Sequence, residues 1–150
     1  MVDAGTCSHA KGEINRLPCV FERALVARHA ACELAVRHQI GERETVACAQ
    51  PVARAMCARM AALLRDKSAF ALGITGTQRV LPHAMVMKIQ CGGLDGLKAV
   101  LDAGAVAPDV RRLVRLAQER YGDLAALPFS EIMQGVAAWK LRRRHSGAPR

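Results

Sequence analysis

Six cysteines, Cys7, Cys19, Cys32, Cys48, Cys57 and Cys91, are spread through the chain, and no two of them form a Cys-x-x-Cys pair. This spacing removes the local signature of zinc ribbons, thioredoxin-like sites and ordinary ferredoxins. Any centre the thiols share must be assembled by the fold from separate elements. The chain is long enough to do so, because its 150 residues suit a single domain with a core of its own. A metal or a disulfide is therefore not demanded by a lack of core.

Composition sets the fold class. Hydrophobic residues make up 51% of the chain, mostly Ala, Leu and Val, and aromatics only 3%. Ala and Leu favour helices, whereas strands favour β-branched and aromatic residues. The expected fold is all-α, a compact bundle of about six helices, some of them short. An irregular N-terminal segment (1–17) precedes a single helical domain (18–139), and a basic tail (140–150) follows it.

Apolar spacing outlines the helices. Pro18 suits a first turn, and Phe21, Leu25, Val26, Ala30 and Leu34 recur at three- and four-residue intervals, which predicts a helix over 18–39 stopped by Gly41. Residues 40–50 read as a connection. Pro51 opens a second helix, 51–67, with Val52, Met56, Met60, Leu63 and Leu64 as its stripe. Residues 80–91 fit either a helix from Pro82 or an alternating strand, and the helix is preferred because its surroundings are helical. Gly92-Gly93 then ends that element, and further helices follow over 94–103, 108–121 and 128–141.

Geometry prunes the cysteines. On a continuous 18–39 helix, Cys19 and Cys32 are 13 residues apart, about 20 Å at about 1.5 Å per residue. They could not share a centre. Cys32 lies near the end of that helix, Cys48 in the connection after it, and Cys57 about two turns inside the next helix. Cys91 stands before Gly92-Gly93, where bare backbone can approach a cluster and offer N–H groups to its sulfurs. The candidate ligands are therefore Cys32, Cys48, Cys57 and Cys91, for an iron–sulfur cluster or, alternatively, zinc. The competing reading is that these thiols are small apolar core residues. His9 with Cys7 and Cys19 offers a second, weaker cluster. His29 shares a helix face with Cys32 and is a substitute ligand, and His83 sits where it could hydrogen-bond a cluster sulfur.

Other chemistry is thinly represented. No glycine-rich nucleotide loop, nucleophile elbow or His-Glu-x-x-His motif occurs. The chain reads as a binding or electron-transfer protein rather than an enzyme. The net charge is +9, and residues 140–150 supply more than half of it through Lys140, Arg142, Arg143, Arg144 and Arg150, with no acid. That tail suits nucleic acid or an acidic protein. The start of the chain lacks a basic region followed by an apolar run, and no apolar stretch is long enough to span a bilayer. A cytoplasmic location with reduced thiols is expected.

Three functions follow. The first is a small iron–sulfur protein in electron transfer or cluster-dependent sensing, with a protein redox partner. The second is a basic helical module, zinc-stabilised, that docks nucleic acid or an acidic partner through its tail. The third is a thiol-redox protein in which Cys48, just ahead of the Pro51 helix, is the reactive thiol.

Overall fold

A computed structural model describes residues 17–74 and 80–140. Cys7, His9, most of the expected irregular start and residues 141–150 of the basic tail lie outside the described residues. The fold is mostly helical but is not a pure bundle. In chain order it comprises α1 (Glu22–Val26), a hairpin of β1 (Ala35–Ile40) and β2 (Arg43–Cys48), then α2 (Pro51–Ala71) and α3 (His83–Met87). A π-helical turn (Lys88–Gly92), α4 (Gly93–Leu101), α5 (Val110–Tyr121), a 3₁₀ turn (Leu124–Ala126) and α6 (Phe129–Ala138) complete it.

The expected 18–39 helix is the main correction. Helix α1 stops after five residues, in a left-handed cap at Arg28 with φ 62°. The Arg28 N–H bonds the Leu25 carbonyl and the His29 N–H the Ala24 carbonyl, which is a Schellman closure. The rest of that stretch is strand β1. It pairs antiparallel with β2, from Ala35 opposite Cys48 to Ile40 opposite Arg43. Gly41, at φ 64°, takes the first central position of the two-residue turn, where a positive φ is required. The glycine read as a helix stop is a hairpin turn, and the connection over 40–50 is largely β2.

Residues 17–19 lie along the other edge of β2. The Cys19 N–H bonds the Val46 carbonyl at 2.9 Å, and the Cys48 N–H bonds the Leu17 carbonyl at 2.7 Å. Ala31 is tied to the start of α5, donating to the Pro108 carbonyl and accepting from the Val110 N–H. Each of these short segments is thus pinned to a larger element at or beside a cysteine.

The second correction concerns Gly92-Gly93, which does not end a helix. Both glycines have helical backbone angles, and α3, the π-turn and α4 form one continuous helical run. At Gly92 the close neighbour is α6, and at Gly93 it is the Leu64 side chain of α2, whose Cδ1 would stand 2.9 Å from an added Cβ. A Cβ on Gly92 would stand 2.6 Å from the Val136 Cα, and one on Gly135 would stand 2.6 Å from the Gly92 carbonyl oxygen. Helices α2, α5 and α6 follow the expected spacing, with Met60 and Leu64, Leu113 and Val114, and Ile132 and Val136 fully buried, except that Val52, expected in the α2 stripe, is exposed in the first turn. All of these buried side chains but Val136 join Phe21, Leu25, Leu94 and Leu97 in one apolar core.

Candidate metal centre

The corrected start of the chain changes which cysteines meet. With α1 only five residues long, no rigid helix separates Cys19 from Cys32. Cys19 pairs across from Val46, and Val46 and Cys48 alternate on one face of β2, so Cys19 and Cys48 share that face. Cys57 lies on the buried face of α2. Cys32 follows the α1 cap and reaches the start of α5. The four thiols line one small cleft of about 20 Å³, together with Arg54 and a wall that includes Leu34, Ala35 and Val110. Cys57 is buried and the other three are half-buried, and all four are free thiols.

Backbone donors already point at two of the sulfurs. The Cys19 Sγ accepts from the Phe21 N–H. The Cys32 Sγ accepts from the N–H groups of Leu34 and Arg111. The Arg111 N–H belongs to the first turn of α5, whose amide donors have no partner inside the helix. Cys48 differs: its Sγ is a donor, 3.3 Å from the Gln50 carbonyl.

Burial favours the protonated form of Cys19, Cys32 and Cys57. It pushes the Cys19 thiol up to about 11, partly opposed by the Phe21 N–H and reinforced by Cys32 and Cys48. Cys57 is pushed up to about 12, first by burial and then by Cys32, Cys19 and Cys48. Burial also raises Cys32, against its two N–H donors. A bound cation would reverse this logic, because a coordinating thiol is deprotonated outright. Among the described residues, no three His, Cys, Asp or Glu side chains stand as a group able to hold a metal ion.

The structure brings together three of the four expected residues, Cys32, Cys48 and Cys57, and joins Cys19 to them. Cys91 lies apart, fully buried in the π-turn beneath a different cleft that His29, Arg28, Trp139 and Lys140 line. Its thiol is pushed up to about 12 by burial and by Asp95. His29 does not face the four thiols either. Its Nε2 is 2.7 Å from Asp95 Oδ1, and its ring meets Trp139 edge-on. His83 pairs with Arg23 at 2.7 Å. Gln90, beside Cys91, has a structural role, accepting from the Ala24 N–H and donating to the Val20 carbonyl. The missed residue, Cys19, had one available signal: Gly41 between two six-residue segments, read as a hairpin, would have released it from the helix.

No helix among the described residues is long and apolar enough to cross a membrane. Comparison with protein-family models, curated proteins and solved structures finds no match.

Proposed function

We propose that this chain holds an iron–sulfur cluster on Cys19, Cys32, Cys48 and Cys57 and acts in electron transfer or cluster-dependent sensing. The observation that carries this reading is the convergence of four thiols, from four separate segments, on one cleft. Apolar packing alone gives no reason to collect four of five described cysteines at one spot; Cys91 illustrates a thiol packed as a small hydrophobe. The N–H groups aimed at Cys19 and Cys32 add support, since such hydrogen bonds stabilise thiolate ligands and help set a cluster's potential.

Four soft thiolates suit iron–sulfur or zinc. A tetrahedral zinc site needs sulfurs about 4 Å apart, given Zn–S near 2.3 Å. Among the described residues no group of three His, Cys, Asp or Glu side chains is placed to hold a metal ion, so either centre would need the thiols to move; a cluster, being larger than one ion, would accept sulfurs set wider apart. The cleft has room for about one water-sized sphere. Seating a cluster would require the cysteine side chains to move. Three of the four sit on strand ends or connecting segments, where such adjustment is least costly.

Three of the four thiols are half-buried, so a cluster held there would lie near the surface, which suits exchange with a protein redox partner. A reducing compartment such as the cytoplasm suits thiols of this kind. The test is anaerobic purification followed by iron, acid-labile sulfide and zinc analysis with an absorption spectrum. Iron and sulfide in equal amounts, with a brown chromophore, are expected. Colourless, iron-free protein after reconstitution refutes the reading, and stoichiometric zinc without iron replaces it with a zinc-stabilised module.

A further inference from the structure

The cleft between the α1 cap and the end of α6 shares no lining residue with the four-thiol cleft and is much larger, about 450 Å³. That is the size of a site for a small organic molecule. Arg28, His29 and Lys140 border it, and no carboxylate of the described residues does. Ala27, Met87 and Trp139 supply its apolar wall.

Arg28 stands in the left-handed region, at φ 62°, where glycine would make the same helix closure without strain. Capping alone therefore gives no reason for an arginine. Its guanidinium meets the Glu44 carboxylate through two long contacts, Nη1 to Oε1 at 3.3 Å and Nη2 to Oε2 at 3.4 Å, with the Arg28 side chain 62% exposed. An ion pair this open to water is weak and easily exchanged. Glu44 also meets Arg37 at 3.4 Å, so it keeps a cationic partner when Arg28 turns to another carboxylate.

The other walls are already fixed. The Lys88 Nζ donates to the Ala137 carbonyl at 3.2 Å and to the Trp139 carbonyl at 2.7 Å, which pins the chain where α6 ends. The His29 ring is held by Asp95 through Nε2 and stands edge-on to Trp139. An indole and a thioether favour an aromatic ring, and a guanidinium fork matches a carboxylate through paired N–H donors. We propose that this cleft binds a small aromatic carboxylate, its ring against Trp139 and Met87 and its charge on Arg28 and Lys140. The site is independent of any metal at the four thiols.

The test titrates 2-naphthoate, its neutral analogue 2-naphthamide, and acetate into the full chain, isotopically labelled so that the indole N–H resonance of Trp139, the one tryptophan, is followed. A saturable shift with 2-naphthoate is expected, with half-saturation at about one tenth the concentration needed for 2-naphthamide, and no shift with acetate. Arg28→Gly keeps the backbone turn, because glycine adopts the same φ freely. In that variant, and in Lys140→Gln, binding of 2-naphthoate is expected to weaken towards that of the amide, with the amide unchanged. A Trp139 resonance that 2-naphthoate leaves in place overturns the proposal. So does equal affinity for the acid and the amide, acetate binding as tight as 2-naphthoate, or an Arg28→Gly chain that keeps the full preference for the acid.

Discussion

Substituting Gly96 by Ala tests the helix crossing that carries the second half of the fold. In α4, Gly96 faces α6 so closely that an added Cβ would collide with the Ile132 carbonyl oxygen, and would stand 2.9 Å from its carbonyl carbon and Cα. The obstacle is backbone on both sides, so no side-chain rotation relieves it. The helices must part by several tenths of an ångström along a seam that also includes Gly92 and Gly135. Alanine improves helix propensity by about 1 kcal/mol over glycine. Overpacking a core contact costs about 1–3 kcal/mol, and a backbone clash belongs at the upper end. The net expectation is a loss of about 2 kcal/mol. For a chain of this size that lowers the melting temperature by about 4–8 °C. Gly104→Ala is the control, since nothing lies within 4 Å of its added Cβ. Urea denaturation of both variants, with the midpoint and slope fitted separately, provides the assay. A Gly96→Ala chain as stable as the wild type, or more so, refutes the close α4–α6 crossing.

Two further predictions concern the thiols and His29. In metal-free protein the pKa values of Cys19 and Cys57 rise from an ordinary 9.0 to about 11 and about 12. The folded state therefore holds these protons more tightly than the unfolded chain. That contribution to stability is complete below pH 9 and is lost as pH rises from there towards 12. Urea midpoints should be flat from neutral pH to about pH 8 on this account and fall above about pH 9; midpoints that rise over that range contradict the burial of these thiols. His29→Ala removes the hydrogen bond to Asp95 and the edge contact with Trp139, both in a half-exposed setting, at a cost of about 1 kcal/mol. Because Trp139 is the chain's one tryptophan, its emission should shift while metal content stays the same. Metal loss in this variant would return His29 to the ligand set.

The helical parts of the fold were legible wherever the apolar period ran undisturbed. Met60 and Leu64, Leu113 and Ala117, and Ile132 and Val136 each lie four residues apart on one face and are buried. The hairpin was not legible for a specific reason. Phe21, Leu25, Val26, Ala30 and Leu34 satisfy a helical spacing, but the left-handed turn at Arg28 breaks the helix midway, and arginine carries no turn signal of the kind glycine does. The alternation of β1 was masked by its composition, Ala-Val-Arg-His-Gln-Ile, which is short of aromatics and has β-branched residues at only two positions. Gly92-Gly93 misled in the opposite direction. Glycine marks both chain turns and close helix contacts, and spacing alone does not distinguish them. The candidate site inherited these errors. Cys32, Cys48 and Cys57 were found because they lie near one another along the chain. Cys91 was added on the strength of its glycines, and Cys19 was dropped on the strength of a helix that is not there.

The most direct measurement is the iron and acid-labile sulfide content of two variants, Cys19→Ser and Cys91→Ala, reconstituted anaerobically beside the wild-type chain. Cys19, half-buried, lines the four-thiol cleft, and Cys91, fully buried, borders a different one. A cluster held by Cys19, Cys32, Cys48 and Cys57 requires that Cys91→Ala match the wild type and that Cys19→Ser lose most of its iron. The reverse pattern, with iron kept by Cys19→Ser and lost from Cys91→Ala, would contradict the assignment of the centre.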